Sequence, residues 1–452
     1  MSRIVFSPLV ATRFLRYCFE GRSFDGRSFD GRLHAAGEVG SGEAAGCHGE
    51  IERRNENRLP RAQLPTPTLP SAAVARHVLQ MGQTESDLEP ERFESLVSRL
   101  AESLTPGASA ETAQGWLEQI HEDLDCEWIE PGGVASGYWV LRARGARELY
   151  PAIDLIAEAL ARRDIHVGAR LPALGHAQAL ARASACLGRD FSGTRVRVGF
   201  VRGHLLELAF AVPGCFGHAD EQALEAATIY AEAALGEERL DEWVGSIGVS
   251  PAPRGGGLRV LDSAGQGSAV TPLAELSTLV HAGIRGLCGG LPEAPLGSSS
   301  ASDWTLLDAQ PLTGEDGAPS SSGMDDTLMA STRCPELLKC FLEGLPVSSR
   351  RFSRVGETFA YLKLPSAAPL AQRPEERALV EQAVEPCLGE HGVLIGNAVG
   401  LRHSYIVLAL RSLDPALEAL IACAAANPEL FPRGSELRFL DAAWADEWLR
   451  LR

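Results

Sequence analysis

The chain has 452 residues, of which 45% are hydrophobic and 22% are charged, a composition typical of a folded globular protein. Its net charge is −17, and its 42 basic residues include only two lysines, Lys339 and Lys363. Neither lysine follows a glycine, which excludes a phosphate-binding P-loop, and a Schiff base could form only at one of these two positions.

Residues 1–80 differ from the rest of the chain in composition and in hydrophobic periodicity. They contain a tandem Gly-Arg-Ser-Phe-Asp repeat at 21–30 and a Pro/Thr run at 64–70, with no helical or strand periodicity after the first dozen residues. We expect these residues to be disordered, and we expect Met81 to be the natural start, so that residues 1–80 are translated upstream sequence. The alternative is that residues 1–80 belong to the native protein as a disordered or transit segment. Residues 1–80 carry a net charge of +3, so residues 81–452 carry −20.

Residues 81–288 are predicted to form one α+β domain. Helices are expected over about 90–104 and 110–124, the second capped by Ser109, followed by a strand from 138 and a helix that starts at Tyr150 with Pro151 in its first turn. A short strand near 165–167 and a helix near 177–187 come next. Alternating apolar residues on both sides of Gly203 predict a hairpin over 194–212. A helix over 219–236, a strand at 247–249 and a helix over 271–288 complete the domain.

Residues 289–330 are rich in Gly, Pro and Ser and are predicted to be a flexible linker. Within them the apolar stretch 304–307 is expected to dock on a domain; the alternative is a short recognition segment. Residues 331–452 are predicted to form a ferredoxin-like domain, with strands and helices in the order β-α-β-β-α-β and a last short helix at 443–451. Residues 138–250 show the same order with one extra helix, so we expect two ferredoxin-like domains.

The C-terminal domain carries an acidic helix at 374–384, a glycine-rich stretch at 389–400 and an aromatic strand residue, Tyr405. In these features it resembles a group of small bacterial ferredoxin-like domains of unknown function, which includes the family named for regulator of ribonuclease activity B. The resemblance covers roughly 100 residues and includes no catalytic motif. It implies a protein-binding, inhibitor-like role.

The densest group of reactive side chains is Cys215-Phe-Gly-His218-Ala-Asp220, between a strand and a helix. A thiol beside an imidazole at a helix N-terminus can be activated as a thiolate, which makes Cys215 and His218 the candidate catalytic residues. The alternative is a turn in which His218 or Asp220 caps the helix. We favour this structural interpretation and assign no catalytic residue.

Other patterns point away from catalysis. Carboxylates recur at 237–242 and at 441–447, where an acidic helix face in contact with solvent is the expected structure. The chain has no C-x-x-C pair, no zinc-like spacing of cysteines and histidines, and no dinucleotide-binding glycine motif, so we expect no metal and no cofactor. Its ten scattered cysteines are expected to be reduced thiols, and no apolar run approaches the ~18–20 residues of a membrane span.

These observations predict a cytoplasmic bacterial protein with a non-enzymatic, protein-binding or regulatory role. A strongly acidic surface repels nucleic acid and suits a basic protein partner, although it also serves solubility. Two alternatives remain: a hydrolase or thiol enzyme using Cys215 and His218, and a small-ligand sensor with a crevice between its paired domains. The sequence carries no signal of oligomeric state.

Overall fold

The computed structural model of the chain describes residues 90–104, 109–130, 137–217, 220–252, 270–297, 304–312 and 323–452. The disordered extension expected over residues 1–80, and the start expected at Met81, concern residues outside these ranges. Within them the chain combines helices and sheets in an α+β architecture, as predicted.

The α-helices are, in chain order, α1 (Pro90–Ser103), α2 (Ala110–Leu117), α3 (Tyr150–Ala161), α4 (His176–Leu187), α5 (Glu221–Leu235), α6 (Glu237–Trp243), α7 (Leu276–Gly289), α8 (Pro335–Leu342), α9 (Arg373–Leu388) and α10 (Leu413–Ala426). The strands are β1 (Asp125–Ile129), β2 (Tyr138–Arg142), β3 (Gly168–Ala169), β4 (Arg195–Val201), β5 (Leu205–Val212), β6 (Val244–Pro251), β7 (Thr271–Pro272), β8 (Thr305–Asp308), β9 (Thr327–Thr332), β10 (Thr358–Pro365), β11 (Gly392–Gly400), β12 (His403–Leu410), β13 (Glu436–Phe439) and β14 (Trp448–Arg450).

The first sheet is small and has its own layer of helices. β1 pairs antiparallel with β2, and β2 pairs parallel with β3. Helices α1, α2 and α3 share one core with this sheet, to which Leu100, Leu117 and Ile153 contribute fully buried side chains. Ser109 caps α2 as predicted, since its side chain accepts a hydrogen bond from the backbone N–H of Glu111.

The predicted second helix was too long. It ends at Leu117, and residues 125–129, for which no element was predicted, form β1. β1 then supplies the partner along one edge of β2, with Asp125 opposite Arg142 and Ile129 opposite Tyr138.

The second sheet has the strand order β6-β5-β4-β7. The hairpin predicted over 194–212 is present as β4 and β5, which pair antiparallel. Its turn places Gly203 and His204 at φ values of 71° and 57°, a left-handed conformation that glycine adopts without strain. Helices α4, α5 and α7 pack on this sheet around the buried Tyr230 and Phe210.

The expectation of a second ferredoxin-like unit over residues 138–250 is not met by the strand pairing. β2 lies in the first sheet, whereas the hairpin and β6 lie in the second. The physical reason is β1, because a strand that pairs with β1 on one side and β3 on the other has no edge left for the hairpin.

The third sheet has seven strands in the order β14-β13-β10-β12-β11-β9-β8. Elements β10, α9, β11, β12, α10 and β13 follow one another in the predicted β-α-β-β-α-β order, and their strands are antiparallel neighbours. Helices α9 and α10 cover one face through Val380, Val384, Leu417 and Leu420. The opposite face packs against α8 and Phe352.

Two predictions at the ends of this sheet were wrong. Residues 289–330 are not a linker throughout, because they contain β8 and the first four residues of β9; the apolar stretch 304–307 docks on β9, as expected. The helix predicted at 443–451 is a single 3-10 turn followed by β14. Leu449 is buried between two less buried neighbours, an alternation that fits a strand and not a helix.

The part of the chain that carries the third sheet packs directly on the hairpin of the second. A guanidinium nitrogen of Arg351 donates a hydrogen bond of 3.0 Å to the carbonyl of Gly203, and the His204 ring stacks on Phe352 with centroids 5.1 Å apart. Arg351 is fully buried, and burial lowers its pKa to about 10. The two parts are therefore joined by a buried contact in addition to the chain that connects them.

Candidate functional site

Strand β8 ends the seven-stranded sheet as far as the structure describes it, and its outer edge carries exposed apolar side chains. Leu306 is 64% exposed, Trp304 45% and Met329, on the neighbouring β9, 47%. Asp308 pairs with Met329, and Leu306 pairs with Ser331, so these side chains share one face of the sheet. An exposed apolar edge strand is the kind of template that natural proteins usually protect.

The exposed face of β8 is the one that the helices cover farther along the sheet. One row of directly paired residues crosses five strands in the order Leu362, Ile406, Asn397, Ser331 and Leu306. Leu362 and Ile406 are fully buried beneath α9 and α10, whereas Leu306 is exposed. The helix layer therefore stops short of β8.

The backbone of β8 has donors directed toward its open edge. The N–H of Ala309 donates to the carbonyl of Leu328 on the β9 side, with a distance of 3.0 Å. Because successive N–H groups of a strand point in opposite directions, those of Leu306 and Asp308 point away from β9. Backbone pairing continues beyond β8 to Leu312, whose N–H donates a hydrogen bond of 2.8 Å to the backbone carbonyl of Asp325.

A groove of about 300 Å³ lies at the end of this edge, between residues 307–312 and α8. We call it the edge groove. Its apolar lining includes Leu312, Met324 and Phe341, and its charged lining consists of Asp308, Asp325, Glu343 and Lys339. Three carboxylates face one ammonium group, so the groove is acidic.

The ion pairs at the rim of the edge groove are exposed. Glu343 lies 3.3 Å from Arg202, and Lys339 lies 3.5 Å from Glu336. Exposed pairs of this kind contribute ~0–1 kcal/mol and exchange partners readily. A cationic side chain entering the groove can therefore pair with Glu343 at little cost.

A buried carboxylate holds the wall of the edge groove in place. Asp326 is fully buried and accepts hydrogen bonds from the backbone N–H groups of Arg402 (2.7 Å) and His403 (3.1 Å), from the His403 ring (3.2 Å) and from the Tyr405 hydroxyl. Burial alone would raise the pKa of Asp326, but the hydrogen bonds from His403, Tyr405 and the backbone outweigh it and lower that pKa. A Cβ at Gly400 would overlap with this carboxylate, so the turn requires glycine there.

The predicted thiol site is only partly described. His218 lies outside the described residues. Cys215 is buried, its thiol donates to the Gly217 carbonyl at 3.1 Å, and burial raises its pKa, which favours the protonated and unreactive form. Asp220 accepts hydrogen bonds from the N–H groups of Ala223 and Phe216, so it caps α5 as the structural interpretation expected.

The acidic stretch at 237–242 is not a solvent-facing helix surface, contrary to expectation. Glu237 is 1% exposed and accepts hydrogen bonds from three backbone N–H groups, while its carboxylate lies 3.6 Å from Arg142. Burial raises the pKa of Glu237 and raises that of Asp241 to about 6. Glu242 accepts a hydrogen bond from Ser348 at 2.7 Å and pairs with Arg350. These carboxylates join parts of the fold.

The described part of the chain shows neither a candidate metal site nor a candidate membrane span. It contains no group of three or more His, Cys, Asp or Glu side chains arranged to hold a metal ion. None of its helices combines the length and apolar character that a bilayer span requires.

No protein-family model, curated protein or solved structure matches the chain. The sequence predicts that the apolar stretch beginning at Trp304 docks on a domain, but it does not indicate the residues that surround this stretch in the structure. Asp326 and His403 are 77 positions apart, and no spacing rule connects them. The acidic lining of the edge groove likewise comes from three separate segments.

Proposed function

We propose that this protein is a non-enzymatic protein-binding module that takes up an extended, basic segment of a partner protein along β8. The observation that carries the proposal is an exposed apolar edge strand that runs into an acidic groove. The partner's backbone would pair with the outward N–H and C=O groups of β8, as in β-strand addition. One of its basic side chains would enter the edge groove.

Charge supports a basic partner in preference to an acidic one. The chain carries −17 overall, and three carboxylates and one lysine line the edge groove, with Arg202 paired to Glu343 at its rim. Such a field accelerates the association of a cationic segment and disfavours an anionic one. The same field opposes the binding of a second copy of this chain.

The proposal extends to the fold of the site. We propose that residues 358–439 form a ferredoxin-like unit, supported by the order β13-β10-β12-β11 and by two helices on one face. The resemblance to the regulator of ribonuclease activity B group agrees with a binding role for this unit. A cytoplasmic location is also proposed, supported by eight free cysteines among the described residues.

Fluorescence anisotropy with a labelled decapeptide of alternating threonine and arginine tests the binding mode, with a threonine and glutamate peptide as its acidic match. We expect the full chain to bind the basic peptide at least tenfold more tightly. Leu306→Pro removes an edge-facing N–H and should abolish binding, whereas Leu306→Ala keeps that N–H and should weaken binding ~5–10-fold through lost apolar contact. Equal binding by Leu306→Pro and wild type would refute strand addition.

A second set of variants tests the acidic groove. Asp308→Asn combined with Glu343→Gln should weaken binding of the basic peptide several-fold at low salt and reduce its salt dependence. Glu418→Gln, an exposed carboxylate on α10, is the matched control and should leave binding unchanged. Equal affinity for the basic and acidic peptides would contradict the assigned partner chemistry.

A further inference from the structure

Two cysteine thiols meet between the helices that cover the third sheet. Cys387 lies in the last turn of α9, and Cys423 lies in α10. The Cys423 thiol donates a hydrogen bond of 3.4 Å to the carbonyl of Ala383, which is one helical turn before Cys387 on the same side of α9. The Cys387 thiol is also near enough to Cys423 to help raise the pKa of the Cys423 thiol.

The two thiols differ in access to solvent. Cys387 is exposed, whereas Cys423 is 2% exposed. Burial and the neighbouring Cys387 thiol raise the pKa of Cys423 to about 12, so Cys423 is a poor nucleophile toward reagents in solution. A reagent therefore meets Cys387 first, and Cys423 can react only with what is already attached to its neighbour.

We propose that Cys387 and Cys423 form a dithiol site that exchanges with low-molecular-weight disulfides and closes a reversible crosslink between α9 and α10. In the first step the Cys387 thiolate attacks one sulfur of the disulfide, forms a mixed disulfide and releases one thiolate. In the second step Cys423 attacks the Cys387 sulfur, gives up its proton and releases the other thiolate. Two protein thiols are oxidised, and the disulfide is reduced to two thiols.

The crosslink has a defined consequence for the fold. It would tie together the two helices that cover β10 and β12, so it restrains the unfolded chain and favours the folded state. The site is separate from the edge groove. Loss of peptide binding and loss of crosslinking are therefore distinguishable outcomes.

Glutathione disulfide is the probe for this site. The reduced full chain is incubated with it at pH 8, quenched with acid, digested with trypsin without reduction, and analysed by mass spectrometry. Cys387 and Cys423 fall in separate tryptic peptides, residues 378–402 and 412–433, each with one cysteine. We expect these two peptides joined by a disulfide, with a yield that is independent of protein concentration.

Single substitutions test the order of the steps. Cys423→Ser should retain glutathione on Cys387 at least tenfold longer than wild type, and Cys387→Ser should leave Cys423 unmodified. Cys288→Ser, at a half-buried thiol on α7, is the control and should crosslink as wild type does. Lasting glutathione on Cys387 in the wild-type chain, or modification of Cys423 at the wild-type rate in Cys387→Ser, would overturn the proposal.

Discussion

Replacing Asp326 by asparagine changes one atom of a buried carboxylate that orders the wall of the edge groove. The wild-type side chain accepts four hydrogen bonds, two from backbone N–H groups and two from His403 and Tyr405. Asparagine has the same volume, so the substitution creates no cavity. The substitution replaces one acceptor oxygen by an NH₂ group, which is itself a donor and faces the donors that the oxygen had bound.

The expected loss follows from those contacts. Of the two carboxylate oxygens, Oδ1 accepts from Tyr405 and Oδ2 accepts the other three hydrogen bonds, so at least one donor loses its partner whichever way the amide turns. An unsatisfied buried donor costs ~1–3 kcal/mol, and losing charge-assisted bonds adds to this, which gives a total of ~2–4 kcal/mol. Asp308→Asn, an exposed change on β8, should stay within ~0.5 kcal/mol of wild type.

Urea unfolding followed by tryptophan fluorescence measures this loss at several pH values. Because the folded state lowers the pKa of Asp326, its contribution is complete above the unfolded value of ~3.9 and is lost as pH falls toward the folded value. The gap between wild type and Asp326→Asn should therefore be constant from pH 7 to pH 5 and narrow below ~4. A variant within 1 kcal/mol of wild type at pH 7, or a gap that widens in acid, would refute the assigned role.

Three further substitutions probe other parts of the fold. Gly400→Ala forces a Cβ into the Asp326 carboxylate and should cost ~1–3 kcal/mol in urea unfolding; unchanged stability would show that the turn can shift. The Asp241→Asn variant should be ~2–3 kcal/mol more stable to unfolding than wild type at pH 8 and equal to it at pH 4. Burial raises the pKa of Asp241 to about 6, so the charge on Asp241 costs stability as pH rises through that value. The variant keeps the hydrogen bond from Tyr150, because the Tyr150 hydroxyl can donate to the amide oxygen. Arg351→Met should lower the melting temperature by removing a buried guanidinium that joins two parts of the chain, and an unchanged melting temperature would contradict that role.

The elements that could be predicted from the sequence are those whose signal is local. The β4–β5 hairpin combines seven and eight alternating residues with a turn at Gly203, so its pattern fixes both strands and their register. Pro151 and Ser109 mark helix starts through effects that depend on the nearest neighbours alone.

Three of the missed elements are short strands defined by distant partners. β1, β8 and β14 have five, four and three residues, too few for a periodic pattern to stand out. β14 becomes a strand because Leu449 pairs with Leu437 on β13, and β8 because Leu307 pairs with Ala330 on β9. When two strands pair across a turn or loop whose path is not known, the sequence of each strand contains no pattern that indicates the pairing.

The charge pattern of the sequence was the least reliable predictor of which acidic side chains lie at the surface. The carboxylates of α6 have the composition of a solvated helix face, but Glu237 meets Arg142 from β2, and Glu242 meets Arg350 from a segment 108 residues later. Such partners have no fixed spacing in sequence. An acidic total therefore does not locate a binding surface, because part of it is neutralised inside the fold.

β8 and the edge groove at its end together combine three independent properties: outward backbone donors and exposed apolar side chains on β8, and unequal charge in the groove. These properties act on different rate constants. Long-range charge steers encounter, so added salt and Asp308→Asn should mainly lower the association rate. Strand pairing and burial of Leu306 form after encounter, so Leu306→Ala should mainly raise the dissociation rate. A partner whose association rate is unaffected by salt would have to be recognised through the apolar edge alone.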